Sequence, residues 1–535
     1  MFANMFNFKP RNFDNKGRSI VIAKSAMIAS SHPLATSVGT QILREGGNAV
    51  DAALATSAVL CVAEPHMTGI GGDCFAMLSF DGSSNIKTLN ASGKSSENSD
   101  ASQLRNKGIK FIKPGMPDAI TVPGAVSGWS MMHKEYGHMP WDQIFRPAIN
   151  YARSGVIVHD RVAYDWSKNK EKLLVDKDTS KIFLNNKKSF NVMENFKNVQ
   201  LSETFETISR EGAAGFYNGW VADDMLKKLN SIGGNHTKND FTNSSAEWVK
   251  PISQNYRNVT IHECPPNGQG IVALIILGIL ENFNVKSMSK NDYLHLFCEA
   301  AKIGYFLRDQ YLADTASNKL SATRFLSKKS LEQYASKIDF KKAKVYDKSL
   351  FPVHPDTIYL TVRDKDGMTV SFINSLFDAF GSGITAPKSG VLFHSRGRGF
   401  NLVKGHPNEL YANKRPLHTI IPAMISYKDK LIGSFGVMGG QYQAVGHAYV
   451  LSQMIDFGLS PQEALDLPRV FPNNNILDFE INFDNSIVED MVSRGHNINF
   501  LDTPIGGGQI ILIDNEKNIL IGASDFRKDG CAIGY

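Results

Sequence analysis

Residues 354–400 read HPDTIYLTVRDKDGMTVSFINSLFDAFGSGITAPKSGVLFHSRGRGF, and this stretch decides the fold. After Thr357 the residues Ile358, Leu360 and Val362 alternate with Tyr359, Thr361 and Arg363, the period of a strand. A charged turn, Asp364 to Gly367, leads into a second extended run, Thr369 to Leu376, so the pair is predicted to be a β-hairpin. Its second strand empties into the glycine-rich loop Phe380 to Gly383. A threonine that opens a buried strand becomes chemically interesting only if something activates it, and no His or Lys stands at relay spacing. Cutting the peptide bond before Thr357 would supply an activator. The freed α-amine, with a pKa of about 8, is suited to take the hydroxyl proton near neutral pH.

Outward from this hairpin, the C-terminal part is dominated by strands. Ile425–Tyr427 with Leu431–Phe435, and Ile510–Ile513 with Ile519–Gly522, are further hairpins, and Gly439-Gly440 enters a helix running to about Ile455. Toward the N-terminus, the strand-like run 19–31 precedes a helix from His32-Pro33 to Leu43 that stops at Glu45-Gly-Gly47. A second, alanine-rich helix runs to Ala63, and strands follow at Cys74–Phe80 and Ile86–Leu89. Residues 190–250 are mainly helical, with 233–244 a surface loop, and helices are expected at 271–280 and 291–312. The lysine-rich stretch 316–350 is expected to be a helical connector. Antiparallel hairpins with helices outside them predict an α+β fold, a four-layer α-β-β-α sandwich.

The chain of 535 residues is 42% hydrophobic and 21% charged, an ordinary globular composition. The formal charge of +6 is spread out, with no basic tail, which argues against nucleic acid as a partner. Five scattered cysteines without a CxxC fit a reducing compartment. No apolar run is long enough for a membrane span, and residues 1–18 read as a polar N-terminal arm, so a cytoplasmic protein is expected.

Several pieces of the chain stand in one recognisable order: HPLA at His32, EGGNAVDAA at Glu45, EPHMTGIGGD at Glu64, VPGAVSGW at Val122, NGQG at Asn267, FGSG at Phe380, KRPLHTIIPAM at Lys414, GVMGGQ at Gly436 and GASDFR at Gly522. In these the chain resembles the γ-glutamyltransferase superfamily of N-terminal-nucleophile hydrolases from Ser19 to Tyr535. The HPDT, SFINS and RGRGF forms are closest to its branch of oxamate amidohydrolase and related acylases. The resemblance implies self-cleavage between Asp356 and Thr357. The products are a large subunit, 19–356 with the arm before it, and a small subunit, 357–535, which together form one composite α-β-β-α domain. It implies Thr357 as nucleophile, Ser375 as a hydroxyl beside it, and the Gly439 and Gly440 amides as stabilisers of the oxyanion. An ordinary strand hydroxyl is the other reading of Ser375.

At the positions where the parent family grips its glutamyl donor, this sequence departs. The arginine that binds the α-carboxylate is matched by Ser92, near Lys94. The carboxylate that binds the ammonium is matched by Arg398, the asparagine contact by Phe377, and two serines by His418 and Thr419. A guanidinium repels an ammonium and pairs with a carboxylate. The expected substrate is therefore a small carboxylate-bearing amide such as oxamate, held by Arg398 or by Lys94, attacked by Thr357 and released to water. A surface or inter-subunit salt bridge is the other reading of Arg398. The alternative activity is γ-glutamyl transfer or glutathione hydrolysis, and a non-catalytic scaffold that never cleaves is a different class again. No cofactor is expected, and no His/Asp/Glu set has metal-ligand spacing along the chain, so no metal is expected. The expected assembly is a homodimer of processed heterodimers.

Overall fold

The hairpin around residues 364–368 forms the centre of a seven-stranded sheet in the computed structural model, which describes residues 6, 8, 11–14, 16–316, 324–347, 351 and 357–535. In spatial order this sheet runs Cys531–Gly534, Met27–Ser30, Ile358–Arg363, Thr369–Ser375, Asp73–Ser79, Ile86–Ala91 and Glu247–Val249. A second seven-stranded sheet runs Val21–Ala23, Ile519–Ser524, Gly507–Asp514, Lys430–Met438, Ala423–Tyr427, Val259–Glu263 and Ile252–Tyr256. Every pairing in both sheets is antiparallel.

The two sheets pack face to face, and helices cover the outer face of each. Ala49–Ala63 lies on the hairpin sheet and is buried at every position, while Gly270–Leu280 on the other sheet is likewise wholly buried. Helices this apolar all round are stable only when sandwiched between a sheet and a further helical layer. Pro33–Arg44 and Trp141–Ser154 supply that layer on one side, and Lys290–Tyr311 and Gln443–Ile455 on the other. The α-β-β-α sandwich expected from the sequence is the observed architecture.

The alternation in Ile358–Arg363 has a different meaning from a core face and a solvent face. All of its residues except Arg363 are buried. Its polar side faces the opposite sheet: Thr361 meets Ser434 across the gap, and the Tyr359 hydroxyl meets Ser371 Oγ of the adjacent strand at 2.7 Å. Paired hydroxyls make that polar interface tolerable.

Several local expectations are corrected. Residues 233–244 contain the short helix Lys238–Thr242, which has a capping box from Thr237 and Asp240. Ile252–Tyr256 is a strand that sequence reading left out. Among the described residues of the lysine-rich connector, only Lys328–Ala335 is an α-helix. Beyond it the chain is tied down by its backbone: Asp339 O accepts from His295 Nε2 at 2.9 Å, Phe340 O from Arg494 at 2.7 Å, and Lys344 O from Lys302 at 2.6 Å. On the N-terminal arm, Phe6 is buried in the core beside the second sheet. Both sheets take strands from before and after Thr357.

Candidate active site

Register sets the site. Ile358 lies opposite Asn374, and one further step places Thr357 across from Ser375 on the same face of the hairpin. Both are fully buried, and Thr357 Oγ1 stands 3.1 Å from Ser375 Oγ. Two N–H groups converge on the serine oxygen, Phe377 N at 2.9 Å and Arg396 at 3.4 Å, and fix it beside the threonine. Gln443, on the first turn of Gln443–Ile455, also donates to Thr357 Oγ1, at 3.4 Å. Its orientation is fixed because its Oε1 accepts from Ile421 N at 3.2 Å. The nucleophile candidate is thus held by Ser375 and Gln443 together.

Gly439 and Gly440 join the strand Lys430–Met438 to the turn that starts the Gln443 helix. Gly439 has φ +125°, and a Cβ there would sit 2.9 Å from Gly506 Cα, so the turn requires glycine. A buried amide network braces it. Gln269, from the NGQG piece, donates to the carbonyls of Thr419 at 2.9 Å and Gly440 at 3.1 Å. Arg308, also buried, donates to Gln269 Oε1 and Gln441 Oε1, both at 2.9 Å. The Gly440 carbonyl shares its peptide plane with the Gln441 N–H, so Gln269 holds the backbone just after the two glycines and stiffens the turn that presents their N–H groups. That is the preorganisation an oxyanion stabiliser needs.

The remaining sequence candidates separate. Thr419 Oγ1 accepts from Arg396 at 3.0 Å and so belongs to the site. His418 is buried against Phe75 and reaches Asp73 Oδ2 with Nε2 at 3.2 Å; burial and the nearby Arg396 hold its pKa down to about 3. Phe377 adopts φ +76°, strained for an aromatic residue, and its ring centroid lies 4.3 Å from the Arg396 guanidinium. Arg398 pairs with both oxygens of Asp378, an ion pair within the chain. Ser92 is buried and accepts from Asn267 Nδ2 at 3.1 Å, whereas Lys94 is exposed. Asp356 lies outside the described residues.

Sequence reasoning passed over Asp73, Arg396, Gln269, Arg308 and Gln443. Asp73 is wholly buried beside three cationic or basic groups. Burial pushes its carboxyl up, but His394 and His418 outweigh this and hold it well below the usual carboxylate range. The positions of Asp73 and Gln269 inside the glycine-rich pieces were the available signal.

Among the described residues, the fold brings together one set of possible metal-ligand residues drawn from distant parts of the sequence. His295, Glu299 and His496 bring candidate ligand atoms within 4.8 Å of one another across distant parts of the chain. These atoms are already engaged: His295 Nδ1 is 2.9 Å from His496 Nε2, and Glu299 pairs with Lys302.

The family model described as gamma-glutamyltranspeptidase matches residues 35–535. The chain belongs to the gamma-glutamyltranspeptidase family. It is 34% identical over 525 residues to the glutathione hydrolase-like YwrD proenzyme of Bacillus subtilis (strain 168), covering 96% of this chain and 99% of that one. It is 30% identical over 549 residues to the glutathione hydrolase proenzyme of Escherichia coli (strain K12), with 96% and 93% coverage. The crystal structure of cephalosporin acylase from Bacillus halodurans superposes with a TM-score of 0.92 at 35% identity, over 99% of each chain. Self-cleaving N-terminal-nucleophile amide chemistry is what this gamma-glutamyltranspeptidase-family chain shares with those relatives. Among its described residues, no helix is long and apolar enough to cross a membrane.

Proposed function

We propose that the protein is a self-cleaving amidase of γ-glutamyl amides of the glutathione type, with Thr357 as its nucleophile. The observation that carries this reading is the pair of polar side chains, Ser375 and Gln443, that hold Thr357 Oγ1 beside the Gly439–Gly440 turn. Cleavage before Thr357 converts its amide nitrogen into an amine. The amine takes the hydroxyl proton, Oγ1 attacks the amide carbon, and the oxyanion forms against the Gly439 and Gly440 N–H groups. Collapse expels the amine, which takes up the proton, and leaves an acyl ester on Thr357. Water then attacks that ester, giving the free acid and restoring the hydroxyl.

Two considerations favour γ-glutamyl donors over oxamate. The relatives at 30% and 34% identity are named as glutathione hydrolases or as glutathione hydrolase-like. Arg398, on which the oxamate expectation rested, is committed to Asp378. The pieces 1–356 and 357–535 stay together on this reading, because each sheet needs strands of both. Five free cysteines are consistent with a cytoplasmic setting.

The test is the intact mass of wild type and Thr357→Ala, followed by product release from glutathione, γ-glutamyl-p-nitroanilide and oxamate. The expected result is two chains in the wild type, one in the variant, and turnover of the γ-glutamyl compounds. Turnover of oxamate alone would return the substrate to the oxamate reading, and an uncut wild type would remove the enzyme reading.

A further inference from the structure

We propose that Arg396 anchors a carboxylate on the acyl half of the substrate, and that the neighbouring Arg398 does not. The inference rests on the amidase reading for the identity of the site and goes beyond it by naming what the site holds.

The turn Arg396–Gly399 presents two arginines in opposite circumstances. Arg398 has its counter-ion. Arg396 is 0% exposed and has only neutral acceptors: NH1 donates to Thr419 Oγ1 at 3.0 Å and NH2 to Ser375 Oγ at 3.4 Å. Its Nε, buried as well, has no hydrogen-bond partner. The nearest acid, Asp73, is 4.0 Å from Nε, and its oxygens already accept from Gly93 N at 2.9 Å, Gly124 N at 3.1 Å and His418 at 3.2 Å. The next acid, Asp378, is taken by Arg398 and Ser395.

A buried guanidinium whose nearest carboxylate stands off at 4.0 Å and is shared with His418 and two backbone N–H groups is incompletely paired, and here it sits at the reacting centre. Ser375 links it to the nucleophile through successive contacts of 3.4 Å and 3.1 Å. A carboxylate bound to Arg396 therefore holds the amide of a short acyl chain against Thr357. The Phe377 ring over the guanidinium, kept despite φ +76°, shields that charge from water and strengthens an ion pair formed beneath it. Even with burial lowering its pKa to about 9, Arg396 is a cation at neutral pH.

The experiment compares γ-glutamyl-, glutaryl- and 4-aminobutyryl-p-nitroanilide on cleaved wild type, Arg396→Gln and Arg396→Lys, with glutarate binding followed by calorimetry. The first two acyl groups carry the carboxylate and the third lacks it. Wild type is expected to favour the carboxylated pair by at least about 30-fold in kcat/KM, and Arg396→Gln to lose at least about 30-fold on that pair. On 4-aminobutyryl-p-nitroanilide the same variant is expected to stay within about threefold of wild type. Arg396→Lys is expected to recover part of the loss. Equal loss on all three substrates, or no preference in wild type, would overturn the assignment; the wild-type comparison decides even if a variant fails to fold. Glutarate binding to wild type but not to Arg396→Gln, with no anilide turned over, would sustain the carboxylate site and overturn the amidase reading. Turnover without glutarate binding would do the reverse.

Discussion

Replacing Gln443 by glutamate changes one interaction at the nucleophile and leaves the shape of the site intact. Gln443 is fully buried; its Oε1 accepts from Ile421 N at 3.2 Å and its Nε2 donates to Thr357 Oγ1 at 3.4 Å. A glutamate keeps the acceptor for Ile421 and, when ionised, loses the donor to Thr357. Losing an ordinary hydrogen bond of this length costs about 1–1.5 kcal/mol. A carboxylate facing an oxygen that gains a few tenths of a charge adds about 1 kcal/mol, since a full unit charge at this range costs about 5 kcal/mol at an effective dielectric of ~20. Together these predict a fall in kcat of roughly 30- to 70-fold for Gln443→Glu.

The pH dependence carries the sign. Burial raises a carboxyl pKa at this position above its reference of about 4.3. As pH falls the variant's carboxyl protonates, sheds its charge and regains an O–H donor, so the ratio of variant to wild-type kcat rises toward acid. Protonation of the Thr357 amine slows both enzymes, so the ratio and not the raw kcat is compared. The assay is kcat between about pH 5 and 9, divided by the cleaved fraction from intact mass. A ratio flat with pH, or a variant as active as wild type, would refute a Gln443 donor to the nucleophile.

Three further outcomes are expected. Gln269→Leu removes the brace on the Gly440 carbonyl and should lower kcat by roughly 10- to 100-fold with KM nearly unchanged, measured by steady-state kinetics. Arg398→Ala, which breaks the pair with Asp378, should cost about 1–2 kcal/mol in denaturant unfolding yet leave kcat/KM on γ-glutamyl-p-nitroanilide within about threefold. A large rise in KM there would hand the anchor role to Arg398. The pKa of His496 is lowered to about 3 by burial, helped by Lys302, His295 and Arg494, while the unfolded chain takes up the proton near 6.5. Its contribution is therefore intact above about pH 6.5 and drains away as pH falls toward 3. His496→Gln, which keeps a donor for His295, should flatten the acid side of the stability profile by roughly 1–2 kcal/mol, read from urea midpoints against pH.

The sequence alone determined the elements whose signals are local. The Thr357 hairpin follows from alternation on either side of a charged glycine turn. The family resemblance names Ser375 beside Thr357, and the hairpin register accounts for that placement. Gly439 is legible because few residues other than glycine adopt φ +125°. The layered α-β-β-α order follows from hairpins interleaved with wholly apolar helices.

Tertiary structure decided everything that depends on a partner from elsewhere in the chain. Arg396 and Arg398 sit in the repetitive string Ser395-Arg-Gly-Arg-Gly399, and nothing local distinguishes them. Asp378 captures one, while Thr419 and Ser375 receive the other. Gln269, Arg308 and Gln443 are ordinary polar residues in sequence and become supports of the site only when three separate helices meet behind the Gly439 turn. The fold also brings His496 to His295, 201 residues away in the chain. Backbone geometry is written in neighbouring residues, whereas the pairing of a buried charge is chosen by the competing acceptors that the folded core places around it.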